Sequence, residues 1–587
     1  MEPPPSGGNA CVARDFFRNL SQLMFLDPIT TDILILGTGG AGLMAALHAH
    51  WRDPQQNILL VSKGMLGKSG CTRMVQGGYN VVLHPRDSLQ NHFEDTVKGG
   101  AFLNDQDLAW HLVQDAPKVI RELENKIGCL FDRAADGSIH QKAFAGQSYD
   151  RTVHVGDLTG IEIMSRLRDQ IFACGIQCLE NTRGLELLTS SDGKRVIGAV
   201  LLDMQRGTYV VVKSKAVILC TGAGPLMYQR AACAQEKAMD GIAMAYRVGA
   251  NLMDMEMVQF HPTGMVVPGS RLNGALLEEG LRGAGAHLFN GKGERYMEKY
   301  DPEKKERSTR DRVSRAGYME IMAGRGTEND AVYIDVSHLG AEFVEKNFAG
   351  MRDRCLRIGF DLAREKVEVA PTAHFNMGGI RINRDGFTNL TGLFAAGEDS
   401  SGVHGANRLG GNGVAESTVY GARVGDAVAD WVKESNLVEP QHEQIAAAQH
   451  NAEKFLENKT GESPWKLRDE LGKITWEKVG IVRHGDKLKK AIDDISEMRK
   501  RVESVSAMGG RVFNLSWQQA LDMRNMAVAS ELIARSALMR EDSRGAHYRE
   551  DFPNTDNANW LKNIYAAKDG SAVKMWTEAV KLEKLKP

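Results

Sequence analysis

A glycine-rich turn, Gly37-Thr38-Gly39-Gly40-Ala41-Gly42, joins an apolar stretch, Ile33-Leu34-Ile35-Leu36, to a helix-forming one, Leu43-Met44-Ala45-Ala46-Leu47-His48-Ala49. Strand, tight turn and helix in that order make a phosphate cradle. Glycine lets backbone N–H groups approach a pyrophosphate, which then lies on the positive end of the helix. A second apolar run, Ile58-Leu59-Leu60-Val61, follows at the spacing of a βαβ unit, so a Rossmann-like α/β domain is predicted. An NAD site would end this second strand in Asp or Glu, whereas here the chain reads Ser62-Lys63.

At 587 residues the chain exceeds what one hydrophobic core supports, and several domains are expected. Lys and Arg number 73 against 75 Asp and Glu, so no global field favours nucleic acid or an anionic membrane. No apolar run reaches the roughly 20 residues of a membrane span, and no secretory or twin-Arg signal opens the chain, which points to the cytoplasm. The eight cysteines are scattered without zinc or iron–sulfur spacing, so no metal site is expected.

Residues 1–28 form an N-terminal extension whose apolar portion, 16–26, is suited to docking. A β-meander is predicted from strands at 185–188, 196–202 and 209–212, with Asp192-Gly193 as a turn. It leads into a separate strand at 216–219 and a second nucleotide-facing turn, Cys220-Thr221-Gly222-Ala223-Gly224. Two such turns suggest a cofactor with two halves. Strand character returns at 392–396 after an insertion of mixed helices and loops, and from 437 onward the pattern is helical, amphipathic at 488–506 and 517–539.

Cationic and imidazole groups concentrate in glycine-rich segments read here as loops: His261-Pro262-Thr263-Gly264, Glu278-Glu279-Gly280-Leu281-Arg282-Gly283, Thr309-Arg310-Asp311, Thr372-Ala373-His374-Phe375-Asn376-Met377-Gly378-Gly379 and His404-Gly405-Ala406-Asn407-Arg408-Leu409-Gly410-Gly411-Asn412. Singly, each charged residue could be a solvated one, and Glu279 with Arg282 an i, i+3 surface pair. Together with Ser543-Arg544-Gly545-Ala546-His547-Tyr548-Arg549-Glu550-Asp551-Phe552-Pro553 and Asn559-Trp560-Leu561, the sequence resembles, over about residues 30–565, the succinate dehydrogenase/fumarate reductase flavoprotein subunit family, which includes L-aspartate oxidase.

The resemblance implies a Rossmann-like FAD-binding domain (29–257 and 369–436), interrupted by an α+β capping domain (258–368) and followed by a helical C-terminal domain (437–587). It implies an enzyme that interconverts a saturated and an unsaturated dicarboxylate, moving a hydride to or from flavin N5 and a proton through Arg310, with Glu279 and Arg282 as the relay. His261, Thr263, Glu278, His374 and Arg408 would hold the substrate. FAD contacts carried over by position are Gly37, Gly39, Gly40, Ala41, Gly42, Ser62, Lys63, Thr72, Gln76, Gly77, Gly78, Asp157, Thr159, Thr221, Gly222, Asp240, Glu398, Arg408 and Asn412. The family commonly docks an iron–sulfur subunit, which would place the protein at the inner face of a membrane through its partners.

Two positions depart from the family pattern. Cys71, in Ser69-Gly70-Cys71-Thr72, stands where respiratory members attach the flavin through a His, so FAD is expected to be non-covalent. Glu278 replaces a Thr whose hydroxyl could donate to a substrate carboxylate, while an ionised Glu only accepts. Either Glu278 turns away from the site, or it meets a donor group on a larger or amine-bearing substrate. Aspartate oxidation and a non-catalytic, flavin-bearing interaction subunit are the rival readings.

Overall fold

The computed structural model of the protein describes residues 28–270 and 272–587. The expected docking of 16–26 lies outside them. The central sheet runs Gln177–Leu179, Ile58–Val61, Ile29–Leu36, Thr208–Leu219, all parallel, with Leu393–Ala395 also parallel against Thr208–Leu219. Helices cover such a sheet on both faces, which is why Ile58–Val61 is an unbroken apolar run, every residue buried. The helix Gly40–Arg52 starts at the glycine turn, as the sequence predicts, and packs against the returning helix Asn412–Trp431.

The meander forms from Thr182–Thr189, Val196–Asp203 and Thr208–Leu219. Its last strand differs from the sequence reading. The predicted strands at 209–212 and 216–219 are one, antiparallel to Val196–Asp203 at its start and parallel to Ile29–Leu36 over most of its length. Lys213-Ser214-Lys215, between the two predicted strands, is polar. Yet Lys215 reaches Asp32 at 2.8 Å and Ser214 is buried in the sheet, so the extended backbone continues.

The insertion folds around its own apolar core, built from residues such as Met265, Leu281, Val313, Ile334 and Val367. Its antiparallel sheet runs Val258–Met265, Val367–Asn376, Val332–Asp335, His287–Phe289. The strands that enter and leave it, Val258–Met265 and Val367–Asn376, pair with each other.

The tail contributes Pro464–Val479, Gly485–Val502 and Leu515–Met539. Gly485–Val502 buries one stripe, Leu488, Ala491, Ile492, Ile495, Met498 and Val502, as an amphipathic helix does. Leu515–Met539 is instead buried around most of its circumference, because Gly485–Val502, Pro464–Val479 and the helix Asp240–Arg247 all pack on it. The tail also ends in a hairpin, Lys562–Asp569 with Ala572–Ala579, which adds to Leu252–Met253 rather than continuing the helical pattern. No helix among the described residues is long and apolar enough to cross a membrane.

Candidate active site

One large cleft runs from the glycine turn to the inserted domain, with about 1580 Å³ of space, part of it open to solvent. At its nucleotide end the chain has no room for side chains. A Cβ on Gly37 would lie 2.0 Å from the Cys220 carbonyl oxygen, and one on Gly42 would lie 2.0 Å from the Gly37 oxygen. Gly37 also has φ +110°, a conformation L side chains rarely adopt. Thr38 donates to Ser62 at 2.8 Å, and the Gly40 N–H donates to Thr72 at 3.1 Å.

Of the carried-over cofactor positions, Gly37, Gly39, Gly40, Ala41, Ser62, Lys63, Thr72, Gln76, Gly77, Gly78, Thr221, Gly222, Asp240, Glu398 and Arg408 line the cleft. Lys63 does so while bound to Asp240 at 2.8 Å and Asp522 at 2.7 Å, which ties the tail helix to the nucleotide end. Glu398 is ion-paired with Lys237 and accepts from the Asn376 N–H. Gly42, Asp157, Thr159 and Asn412 lie behind the lining. Asp157 packs against Gly350, and Thr159 donates to the Gln76 carbonyl at 3.1 Å. Asn412 is engaged by Asn80, His92 and Thr96, so its side chain braces the loop and faces away from the cleft.

At the other end stand His261, Glu278, Glu279, Arg310, His374 and Arg408. His261 and His374 are on strands, a correction to the loop reading, and bulges aim them. Gln259 pairs with Phe375 and Phe260 with Ala373, leaving His374 as the extra residue. A second irregularity separates His261 from Gly264, where Pro262 has no N–H to give the ladder. The two imidazoles meet edge to face at 5.4 Å. Burial holds both well below the ordinary histidine value, and Arg310 adds to the effect, so both are neutral at pH 7. Thr263 lies behind His261, its hydroxyl donating to the Leu277 carbonyl at 2.8 Å.

Arg310 donates twice to Glu279 Oε2, at 2.9 and 2.6 Å, and once to Gln259 at 3.2 Å. Glu279 Oε1 accepts from Arg282 at 2.8 Å, and Arg282, outside the lining, also donates to the Glu306 carbonyl at 2.7 Å. Burial opposes ionisation of Glu279, but the two guanidiniums prevail and hold its carboxyl below the ordinary value. The pair is therefore no surface ornament. Arg408 is different: its guanidinium, 4.3 Å above the Phe375 ring, makes no hydrogen bond or ion pair among the described residues. Burial first, and Arg310 second, lower it to about 9.

Glu278 lines the cleft, with Oε1 on Lys142 at 2.6 Å and Oε2 buried without a partner. Burial raises its carboxyl despite the lysine. Cys71 also lines the cleft and accepts from the Ala234 N–H at 3.2 Å. Sequence reading missed Lys142, Phe144, Lys237 and Gln259. None carries a motif signal, and only the fold brings them to the motifs.

Residues 32–414 match the FAD binding domain family and residues 468–587 the fumarate reductase flavoprotein C-terminal family. One fumarate reductase (CoM/CoB) chain, from Methanothermobacter marburgensis, is 43% identical over 91% of this chain and 96% of that protein. The fumarate reductase flavoprotein subunit of Escherichia coli is 35% identical, each chain covered to 92%. A solved quinol fumarate reductase chain from E. coli superposes with a TM-score of 0.90 at 33% identity, covering 96% of this chain and 98% of that one. Cradle, cleft and these relatives define an FAD-dependent oxidoreductase. Within that class, the chain belongs to the succinate dehydrogenase/fumarate reductase flavoprotein subunit family.

Proposed function

We propose that the protein interconverts a C4 dicarboxylate pair, succinate and fumarate or a close relative, on FAD held without a covalent bond. The observation that carries this is Arg408, a buried guanidinium that makes no ion pair among the described residues, with Glu398, Glu279 and Glu416 acting on it only from farther away, beside Arg310 and two neutral imidazoles. A buried unpaired cation is costly, and a carboxylate ligand is the natural partner. The cradle fits a dinucleotide, because the Gly37 turn packs tightly on Cys220 and leaves Gly39 and Gly40, at the start of the helix Gly40–Arg52, lining the cleft.

FAD, when bound, supplies hydride acceptance or donation. The residues above would hold it: the Gly37 turn at one end, with Ser62, Lys63, Thr221 and Glu398 along the cleft. Arg408 and one N–H of each imidazole would grip and polarise the substrate carboxylates. Arg310 would move the proton at the neighbouring carbon. A free arginine, with a pKa above about 12, is a poor acid. The Arg310–Glu279–Arg282 chain is suited to returning that proton and to restraining the fork that delivers it.

Glu278 sets the substrate question. An ionised Glu about 4 Å from a substrate carboxylate would repel it by roughly 4 kcal/mol at an effective dielectric of about 20. Lys142 offsets that charge from behind. Oε2 is left to accept from a hydroxyl or ammonium, the one feature that favours the second reading, L-aspartate oxidation. The test is steady-state turnover of succinate, fumarate and L-aspartate with oxidised and reduced dyes, in wild type and Glu278→Thr. Glu278→Thr is expected to improve kcat/KM for succinate or fumarate several-fold, and to lower it for any substrate with an amine. Unaltered kinetics for all three would remove Glu278 from the specificity argument, and turnover of none would refute the proposed activity.

The non-covalent flavin follows from Cys71, whose thiol burial pushes up, away from the reactive thiolate. Acid precipitation of the holoenzyme is expected to leave the yellow chromophore in the supernatant. Fluorescent flavin on the denatured band would instead show a thioether. As its relatives are named as subunits, we propose that electrons pass to or from an iron–sulfur partner, on the cytoplasmic side.

A further inference from the structure

A second cavity, about 1150 Å³ and partly open to solvent, lies where the nucleotide domain, the insertion and the tail meet. Five cationic side chains line it, Lys98, Lys304, Arg312, Arg315 and Arg544, against two acids, Asp95 and Asp311. Pairing leaves an excess. Asp95 is held by Arg151, Arg544 by Asp542, Lys98 by Glu94 at 2.7 Å, and Arg312 meets Asp301 at 3.4 Å. Lys304 and Arg315 make no ion pair among the described residues, against one unpaired acid, Asp311, and Arg315 stacks 4.5 Å above Tyr548.

The cavity backs onto the catalytic cleft through a thin wall. Thr309 and Asp311 line the cavity, while Arg310 between them lines the cleft. On the facing segment Arg408 lines the cleft, and the next side chain, Leu409, fills the wall. A Cβ on Gly99 would lie 2.7 Å from Leu409 Cδ2, and one on Gly146 would lie 3.1 Å from Leu409 and 3.3 Å from the Thr309 methyl. Gly99 and Gly146 themselves line the cavity. Leu409 and Thr309 thus lie in the wall between a basic, solvent-reaching chamber and the two arginines of the site.

Resting on the proposed function, we infer that this cavity is the vestibule of the active site. It collects a dicarboxylate dianion from solvent and delivers it past Leu409 and Thr309 to Arg408 and Arg310. The excess positive charge raises the local dianion concentration and the rate of capture, while the chemistry behind the wall is unaffected. Lys304 and Arg315 are then determinants of association and touch no reacting atom.

The test is stopped-flow association of malonate, a dicarboxylate that cannot react, followed by the flavin absorbance change of the holoenzyme. Wild type is compared with Lys304→Glu/Arg315→Gln at low and at about 0.5 M salt. The expected result is an association rate about tenfold lower in the variant at low salt, converging with wild type at high salt, where charges beyond a few ångströms are screened. The wild-type flavin spectrum and kcat should be retained. An equal association rate at both salts overturns the vestibule. So does a loss that high salt does not rescue, since that marks damage to the fold. If wild type binds no dicarboxylate at all, the activity proposal fails instead, and the two failures are distinct.

Discussion

Arg310→Lys is expected to lower kcat about a thousandfold while FAD content stays that of the wild type. Positioned acid–base groups contribute about 10²–10⁴-fold, and lysine offers a charge without the fork. Arg310 uses three nitrogens at once, Nε and Nη2 on Glu279 and Nη1 on Gln259. An ammonium on a shorter stem cannot hold Glu279 and still face the substrate. The glycine turn that would cradle FAD lies at the opposite end of the cleft, so the substitution is expected to spare most cofactor binding. The measurements are kcat at saturating fumarate or succinate and the flavin-to-protein ratio. A variant with full flavin and unchanged kcat would show that the proton travels by another route.

The legible part of this molecule is the part whose signal is local. The glycine turn, the apolar strands beside it and the buried stripe of Gly485–Val502 each follow from spacing within one segment. The terminal hairpin is a miss: Asp569-Gly570 is a hairpin turn signal between residues that pair, Ala566 with Met575 and Asp569 with Ala572, but the charged composition around it reads as helical. The long strand Thr208–Leu219 was not legible, because the partners that keep 213–215 extended come from elsewhere in the chain.

The site divides in the same way. Motif resemblance places Arg310, Glu279 and Arg408 at the cleft, but it cannot say which atoms point where. Asn412 carries the motif, yet the structure occupies its side chain with Asn80 and His92. Lys142 carries no motif and lies 136 residues from Glu278, and still holds Glu278 Oε1 in place. Such long-range pairs depend on how the insertion closes against the nucleotide domain, and local pattern holds no record of that. The bulges at His261 and His374 are similar, since they exist only in the pairing of two strands more than a hundred residues apart.

Arg408→Gln is the sharper test of the substrate reading. Removing one partner of a buried charge pair costs about 2–5 kcal/mol, so KM for a dicarboxylate should rise about thirtyfold or more. The wild-type pH dependence provides the check. Burial and Arg310 lower the guanidinium to about 9, and a bound dianion favours its charged form. Affinity is therefore complete well below pH 9 and is lost as pH rises through it, so the wild-type KM should climb as pH passes about 9. In Arg408→Gln this climb should vanish, because the titrating group is gone. FAD content is measured alongside, since Arg408 lines the same cleft as Glu398 and some cofactor loss can accompany the change. A KM close to wild type in the flavin-replete variant, or an alkaline climb that survives the substitution, would mean that another cation holds the carboxylate.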